Sequence, residues 1–201
     1  ELLLYQNNGD GTFTEIGSKA GVRQEHWTSS IAWGDLNQDG NVDLYVANYL
    51  EDAEKVCRDD RGVFHTCSPE NYSAQPDRLF VNHGNRKFED VTHAAGITGK
   101  DGKGIGVIIC DLDVDGRDDI YVANDGTANH LYANQTKPGA MSLEFVEIGV
   151  MTGSALKQDG AAQAGMGIAC ADLTGNEKPD LYVTHFRSDC NTLYRNHGAL
   201  L

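Results

Sequence analysis

The sequence predicts an all-β chain built from repeated blades of about four short antiparallel strands. Three observations carry this. One acidic loop recurs with the same kind of strand after it: DLNQDGNVDLYVA at 35–47, DLDVDGRDDIYVA at 111–123 and DLTGNEKPDLYVT at 172–184. A Leu–aromatic–x–Asn element recurs from Leu4, Leu79, Leu131 and Leu193, at spacings of 75, 52 and 62 residues. Gly is abundant at 23 and Pro scarce at 4, which suits many tight turns between short strands.

Each element has a local cause. NGDGTF (Asn8 to Phe13) places Gly-rich turn residues between two strand-like runs, a hairpin signal, and HGNRKF (His83 to Phe88) is its counterpart. Short strands precede the acidic loops at Ser29–Gly34, Ile105–Cys110 and Met166–Ala171. The β-branched and aromatic runs LYVAN, IYVAN and LYVTH follow the loops. Helical periodicity of useful length is absent, apart from possible turns near Ser18–Ala20 and Thr92–Ala95. The repeat units run approximately over 4–78, 79–130 and 131–192, with a further unit starting at 193–201. Units of about 60 residues and four strands around an axis describe propeller blades. A β-solenoid is the alternative, although its units are usually shorter. About three blades cannot close a ring, so a partial propeller is expected. The chain also opens on ELLLYQNN inside a repeat, and a fragment or processed product is the expectation.

The loops carry the chemistry. Ca²⁺ takes six to eight oxygens in a forgiving geometry. Loop positions 1, 3, 5 and 9 offer side-chain oxygens, and position 7 a backbone carbonyl. The first loop supplies Asp35, Asn37, Asp39 and Asp43 with the carbonyl of Asn41. The second supplies Asp111, Asp113, Asp115 and Asp119 with the carbonyl of Arg117. The third supplies Asp172, Thr174, Asn176 and Asp180 with the carbonyl of Lys178. It keeps just two carboxylates at ligand positions, so the expected strength runs second, first, third, with the third weak or empty. An EF-hand closes with Glu at position 12, where this chain has Val46, Val122 and Val183. The alternative is a set of solvated Asp/Asn/Gly turns.

Composition narrows the partners. Thirty acidic and 16 basic residues give a net charge of −14, and 11 of the acidic residues lie within the three loops. Three bound Ca²⁺ would bring the charge to −8. The acidity argues against nucleic acid, which needs a basic footprint, and against anionic membranes. There is no run of about 20 apolar residues, so membrane insertion is not expected.

The pattern D-x-[DN]-x-D-G-x-x-D-[LI]-Y-V-A-N, with LYxNxGdGtFxdvtxxaGv beside it, resembles the FG-GAP/VCBS repeat. More narrowly, the chain is similar to propellers of the cartilage acidic protein / ASPIC-UnbV family. Further matching stretches are Tyr49 to Asn82, DGAAQAGMGIACADL (Asp159 to Leu173) and NTLYRN (Asn191 to Asn196). The resemblance implies an extracellular or cell-surface propeller of the seven-bladed type, with Ca²⁺ loops like those of the integrin α-chain head. It implies adhesion and protein interaction, and secretion, or a periplasmic place in a bacterium.

The remaining groups are weighed individually. Cys57 and Cys67 bracket the polar insertion CRDDRGVFHTC, and pairing them would staple a loop poor in apolar residues. Cys110 and Cys170 lie at strand ends and read as small buried hydrophobes. Cys190 sits in a polar turn as the odd thiol, open to a missing segment or a partner. GKGIG (Gly102 to Gly106) lacks a following helix and reads as a turn. Asn71-Tyr72-Ser73 and Asn134-Gln135-Thr136 fit the glycan acceptor pattern. Trp27 and Trp33 read as blade packing. H-E-x-x-H, G-x-S-x-G and Walker patterns are absent from the sequence, so no catalytic residue is assigned. The expectation is a structural-calcium scaffold that binds protein or glycan at the cell surface or matrix. A Ca²⁺-dependent polysaccharide lyase or hydrolase, and a self-assembling surface or filament subunit, stand as alternatives.

Overall fold

The computed structural model describes residues 2–51, 55–187 and 189–198. Residues 52–54, within the family-like stretch from Tyr49 to Asn82, and 199–201, within the further repeat unit, lie outside them.

The chain opens with a hairpin of β1 (Tyr5–Asn7) and β2 (Phe13–Glu15), closed by the NGDGTF turn, and a single helical turn, α1 (Gly17–Ala20). A first full sheet follows. It starts with β3 (Thr28–Gly34) and β4 (Asp43–Asn48). A separate hairpin of β5 (Val56–Arg58) and β6 (Phe64–Thr66) is inserted next. The sheet is completed by β7 (Arg78–Asn82) and β8 (Phe88–Asp90), in the order β3-β4-β7-β8. The second sheet repeats the plan with β9 (Gly104–Cys110), β10 (Asp119–Asn124), β11 (His130–Asn134) and β12 (Phe145–Glu147). After the turn α2 (Gly149–Thr152), β13 (Gly165–Ala171), β14 (Asp180–His185) and β15 (Thr192–Tyr194) make a three-stranded sheet. Every pairing in these sheets is antiparallel. Each sequence repeat therefore spans the last two strands of one sheet and the first two of the next. The α2 turn was not legible in the sequence, whereas Ser18–Ala20 lies in α1.

The sheets stack face to face as a partial propeller. Their first strands β3, β9 and β13 lie side by side, and the second strands pack inside. Every residue of β4 and β10 is buried. Strand alternation sends one side chain to each neighbouring sheet. Leu44 and Val46 of β4 pack with Ala20, Val22 and Phe80 toward the opening hairpin. Tyr45 and Ala47 turn the other way and meet Ile120 and Val122 of β10. Tyr121 and Ala123 of β10 then face Leu181 and Val183 of β14. The LYVA motif is thus a two-sided core strand. Each Leu, Ile or Val buried this way stabilises the stack by roughly 1.5–3 kcal/mol.

Several expectations change against the fold. Gly102–Gly106 is not a turn throughout, because β9 begins at Gly104. A side chain at Gly106 would come within 2.4 Å of the Met166 carbonyl on β13, so the glycine permits two first strands to approach. Trp27 and Trp33 are 48% and 42% exposed rather than buried between blades; they lean on Tyr49 and Phe88. Asn134 is 1% exposed and fully hydrogen-bonded, so it cannot take a glycan, whereas Asn71 is exposed. Cys57 and Cys67 are bonded to each other, fastening the β5–β6 insertion. Cys67 lies against Leu50 and Tyr72 in a small satellite core.

Candidate metal centre

Each acidic loop links the first two strands of its sheet, and one backbone path serves all three. Positions 4 and 6 are left-handed throughout. In the first loop these are Gln38 (φ 55°) and Gly40 (89°), and in the second Val114 (61°) and Gly116 (87°). In the third they are Gly175 (74°) and Glu177 (63°). The third loop therefore moves its glycine from position 6 to position 4 and keeps the curve.

The curve gathers the carboxylates. In the second loop Asp111, Asp113 and Asp115 each bring an oxygen within 4.8 Å of the other two. Two oxygens on opposite sides of a Ca²⁺ stand about 4.6–5.2 Å apart. The set is all oxygen and rich in carboxylate, so it fits a hard divalent cation. Burial and the neighbouring Asp115 carboxylate raise the Asp113 carboxyl above its ordinary value. A cation would relieve that repulsion. The Arg117 guanidinium meets the Asp115 carboxylate and donates through Nε to the Asn134 carbonyl at 2.7 Å, so one charge of the trio is already opposed.

In the first loop Asn37 replaces one carboxylate. Its amide donates to Asp39 at 3.2 Å and to the Ala140 carbonyl at 2.8 Å. Burial is the largest single influence on the Asp39 carboxyl and raises it, but the donors of Asn41 and Asn37 and the nearby His83 together outweigh that and leave it below its ordinary value. Asp35 accepts the N–H groups of Asp39 and Gly40. In the third loop Asp172 accepts four backbone N–H groups, from Thr174, Gly175, Asn176 and Glu177. Burial is the largest single influence and raises the carboxyl, but the four N–H groups together outweigh it and hold the carboxyl low. Asn176 points its amide at the Asn196 carbonyl and accepts the Lys178 N–H. The Thr174 side chain is exposed.

Position 9 has a distinct geometry. Asp43, Asp119 and Asp180 are buried, at 0%, 2% and 1% exposure. Each accepts the N–H of loop position 2 through Oδ2, from Leu36, Leu112 and Leu173 respectively. Each accepts a second N–H through Oδ1, from Asn82, Asn134 and Asn196. The carboxylate thus pins the loop to the third strand in the first two sheets and to the segment just after it in the third. Burial pushes Asp43 and Asp119 up to about 6, against the pull of these N–H groups.

Those three Asn residues carry a role that sequence reading missed. Asn134 donates to the carbonyl at position 8 of its own loop, Asp118, and to Leu36 in the loop of the preceding sheet. Asn196 repeats this with Pro179 and with Leu112 of the preceding loop. Asn82 bonds Val42 at the same position of its own loop. The side-chain oxygens close matching turns, accepting from Gly84, Thr136 and Gly198. The available signal was the fourth letter of LFVN, LYAN and LYRN, the same in every copy. Gln38 adds a loop-to-loop bond to the Gly116 carbonyl, 2.6 Å.

Repeated sheets, each joined at its first hairpin by an acidic loop, define the class of protein to which this chain is assigned. The FG-GAP-like repeat family matches residues 1–46 and 111–183, more than half of the chain, and the chain belongs to that family. Among curated proteins it is similar to cartilage acidic protein 1 of Xenopus tropicalis, 42% identical over 48 residues, and of Homo sapiens, 40% identical over 48. Each match covers 23% of this chain and 7% of the relative. Among solved structures it is similar to the exotype rhamnogalacturonan lyase YesX, at TM-score 0.45 and 18% identity. That match covers 89% of this chain and 32% of the lyase. The chain thus matches a small part of these longer proteins. Among the described residues no helix is long and apolar enough to cross a membrane.

Proposed function

We propose that this chain is a calcium-stabilised propeller segment of an extracellular adhesion or protein-interaction scaffold, with calcium in a structural role. The observation that carries this reading is the convergence of Asp111, Asp113 and Asp115 within 4.8 Å, in a loop that is hydrogen-bonded to the neighbouring sheet's loop. Asp111, Asp113, Asp115 and the Arg117 carbonyl, with Asp119 closing the site, would hold the ion in the second loop. Asp35, Asn37, Asp39 and the Asn41 carbonyl, with Asp43 closing the site, would do so in the first. The ion neutralises clustered carboxylates that otherwise repel. By rigidifying the loop it also fixes the Asn contacts between sheets. A site with a Kd of about 10 µM in about 1 mM Ca²⁺ adds about 2.7 kcal/mol to folding stability. The bonded Cys57–Cys67 pair suits an oxidising compartment.

The third sheet offers a surface for partners. Tyr45 and Tyr121 are 0% exposed, whereas Tyr182 at the same motif position is 40% exposed and Leu193 beside it 44%. A further blade of the same kind is the occupant that its repeat relationship favours. Melting in Ca²⁺ and in EGTA tests the metal reading. A higher midpoint with Ca²⁺, reversed by chelator, is expected, and the shift should shrink in Asp113→Ala, which leaves the first loop intact. An unchanged midpoint sinks it.

A further inference from the structure

Two thiols outside the loops stand in a relationship imposed by the repeat. Counting back from the first Asp of each acidic loop, the last residue of the first strand is Gly34, Cys110 or Ala171. The residue before it is Trp33, Ile109 or Cys170. Between the first and second sheets, the last residue faces the next sheet's second-to-last one: a Cβ on Gly34 would lie 2.7 Å from Ile109 Cγ2. Between the second and third sheets the same register brings Cys110 to Cys170, with the sulfurs 2.9 Å apart. The meeting follows from the stacking of β9 on β13. Both cysteines are half-buried, and Cys190 is exposed elsewhere.

We propose that Cys110 and Cys170 close into a disulfide that fastens the second sheet to the third. A disulfide needs a sulfur separation of about 2.05 Å. The sulfurs therefore need to approach by about 0.9 Å, which small rotations of two side chains at strand ends can supply. The oxidant is a small-molecule or protein disulfide, RSSR. One cysteine thiolate attacks it and expels RS⁻, leaving a mixed disulfide. The second cysteine thiolate attacks the cysteine sulfur of that mixed disulfide and expels the other RS⁻. Two thiols are oxidised and one disulfide is reduced to two thiols, with the cysteine protons passing to the leaving thiolates. The bond would join residues 60 apart in sequence. It would lie one residue before Asp111 and two before Asp172, where the acidic loops leave their strands.

The test is peptide mapping of the whole chain. The folded protein is equilibrated with oxidised and reduced glutathione at an oxidising ratio, trapped with N-ethylmaleimide and digested with trypsin without reduction. Trypsin leaves Cys110 in 104–117, Cys170 in 158–187 and Cys190 in 188–195. Most of 104–117 is expected joined to 158–187, with 188–195 recovered alone. Cys190→Ser leaves that link intact, and Cys110→Ser leaves 158–187 unlinked. Recovery of 104–117 and 158–187 mainly as alkylated or glutathione-capped single peptides overturns the proposal. So does a link from either one to 188–195. The map needs no metal, so it succeeds or fails independently of the calcium reading.

Discussion

The side-chain amide of Asn134 donates to the backbone carbonyl of Leu36 at 2.9 Å, and these residues belong to different sheets. The same amide also holds the Asp118 carbonyl of its own loop, 2.9 Å away. One buried Asn therefore joins two acidic loops. Asn134→Ala leaves both carbonyls without this donor, and a loss of about 2–3 kcal/mol is expected. Asn82→Ala, which frees the Val42 carbonyl and the Gly84 N–H at an exposed edge but breaks no inter-sheet bond, is expected to cost about 1 kcal/mol. Urea unfolding of the two variants decides it. Equal losses would mean that the inter-sheet bond contributes nothing.

Asp77 is a buried acid in a place where the other repeats use Asn. It accepts the Tyr45 hydroxyl and the Asn48 N–H, both at 2.8 Å. Asn129 does the equivalent work, accepting the Asn124 N–H and donating to the Tyr121 hydroxyl. Burial pushes Asp77 up to about 7 from an ordinary 3.8. Between those values the folded chain binds a proton that the unfolded chain lacks, so stability falls as pH rises through that window. Asp77→Asn removes this cost. It is expected to match the parent near pH 4 and to exceed it by on the order of 2–4 kcal/mol at pH 8. A variant less stable than the parent at pH 8 refutes the assignment.

Val114 is a β-branched residue at φ 61°, a conformation that costs non-glycine residues about 1–2 kcal/mol. The third loop has Gly175 at this position. Val114 is 51% exposed, so little packing is lost on truncation. After the extra chain entropy of glycine, Val114→Gly is expected to gain roughly 0.5–1 kcal/mol. Gln38→Gly should bring no gain, because it also removes the bond from Gln38 to the Gly116 carbonyl. Calorimetric melting reads both, and destabilisation by Val114→Gly would contradict the strain.

The proposed calcium binding carries its own pH signature. Burial holds Asp43 and Asp119 near 6 in the folded chain. A bound cation favours the ionised form of both, so affinity rises with pH through that value and falls below it. Titration calorimetry is expected to show weaker binding at pH 5 than at pH 7.5, with proton release on binding near pH 6. Flat affinity across this range would separate these two carboxyls from the metal.

The strand plan was legible because its signals are local. Each of the strands preceding the acidic loops begins one residue before the stretch read from sequence, at Thr28, Gly104 and Gly165. The polar insertion and its disulfide were visible in the spacing of Cys57 and Cys67, whereas its β5–β6 hairpin was not. Other roles were not. Gly106 looks like a turn residue until β13 is seen against it. Asn134-Gln135-Thr136 looks like a glycan acceptor until the side chain is found buried between loops.

By itself, the sequence determined the repeat, the all-β character and the oxygen-rich loops. Turn chemistry, strand alternation and ligand spacing act over a few neighbouring residues. Tertiary structure alone decided which face of each LYVA strand meets which sheet, that Asn82, Asn134 and Asn196 hold the loops in place, and that Cys110 meets Cys170. These outcomes depend on the stacking register between sheets. That register is set by close approach at Gly34 and Gly106 and by side-chain fit across residues some 60 apart in the chain.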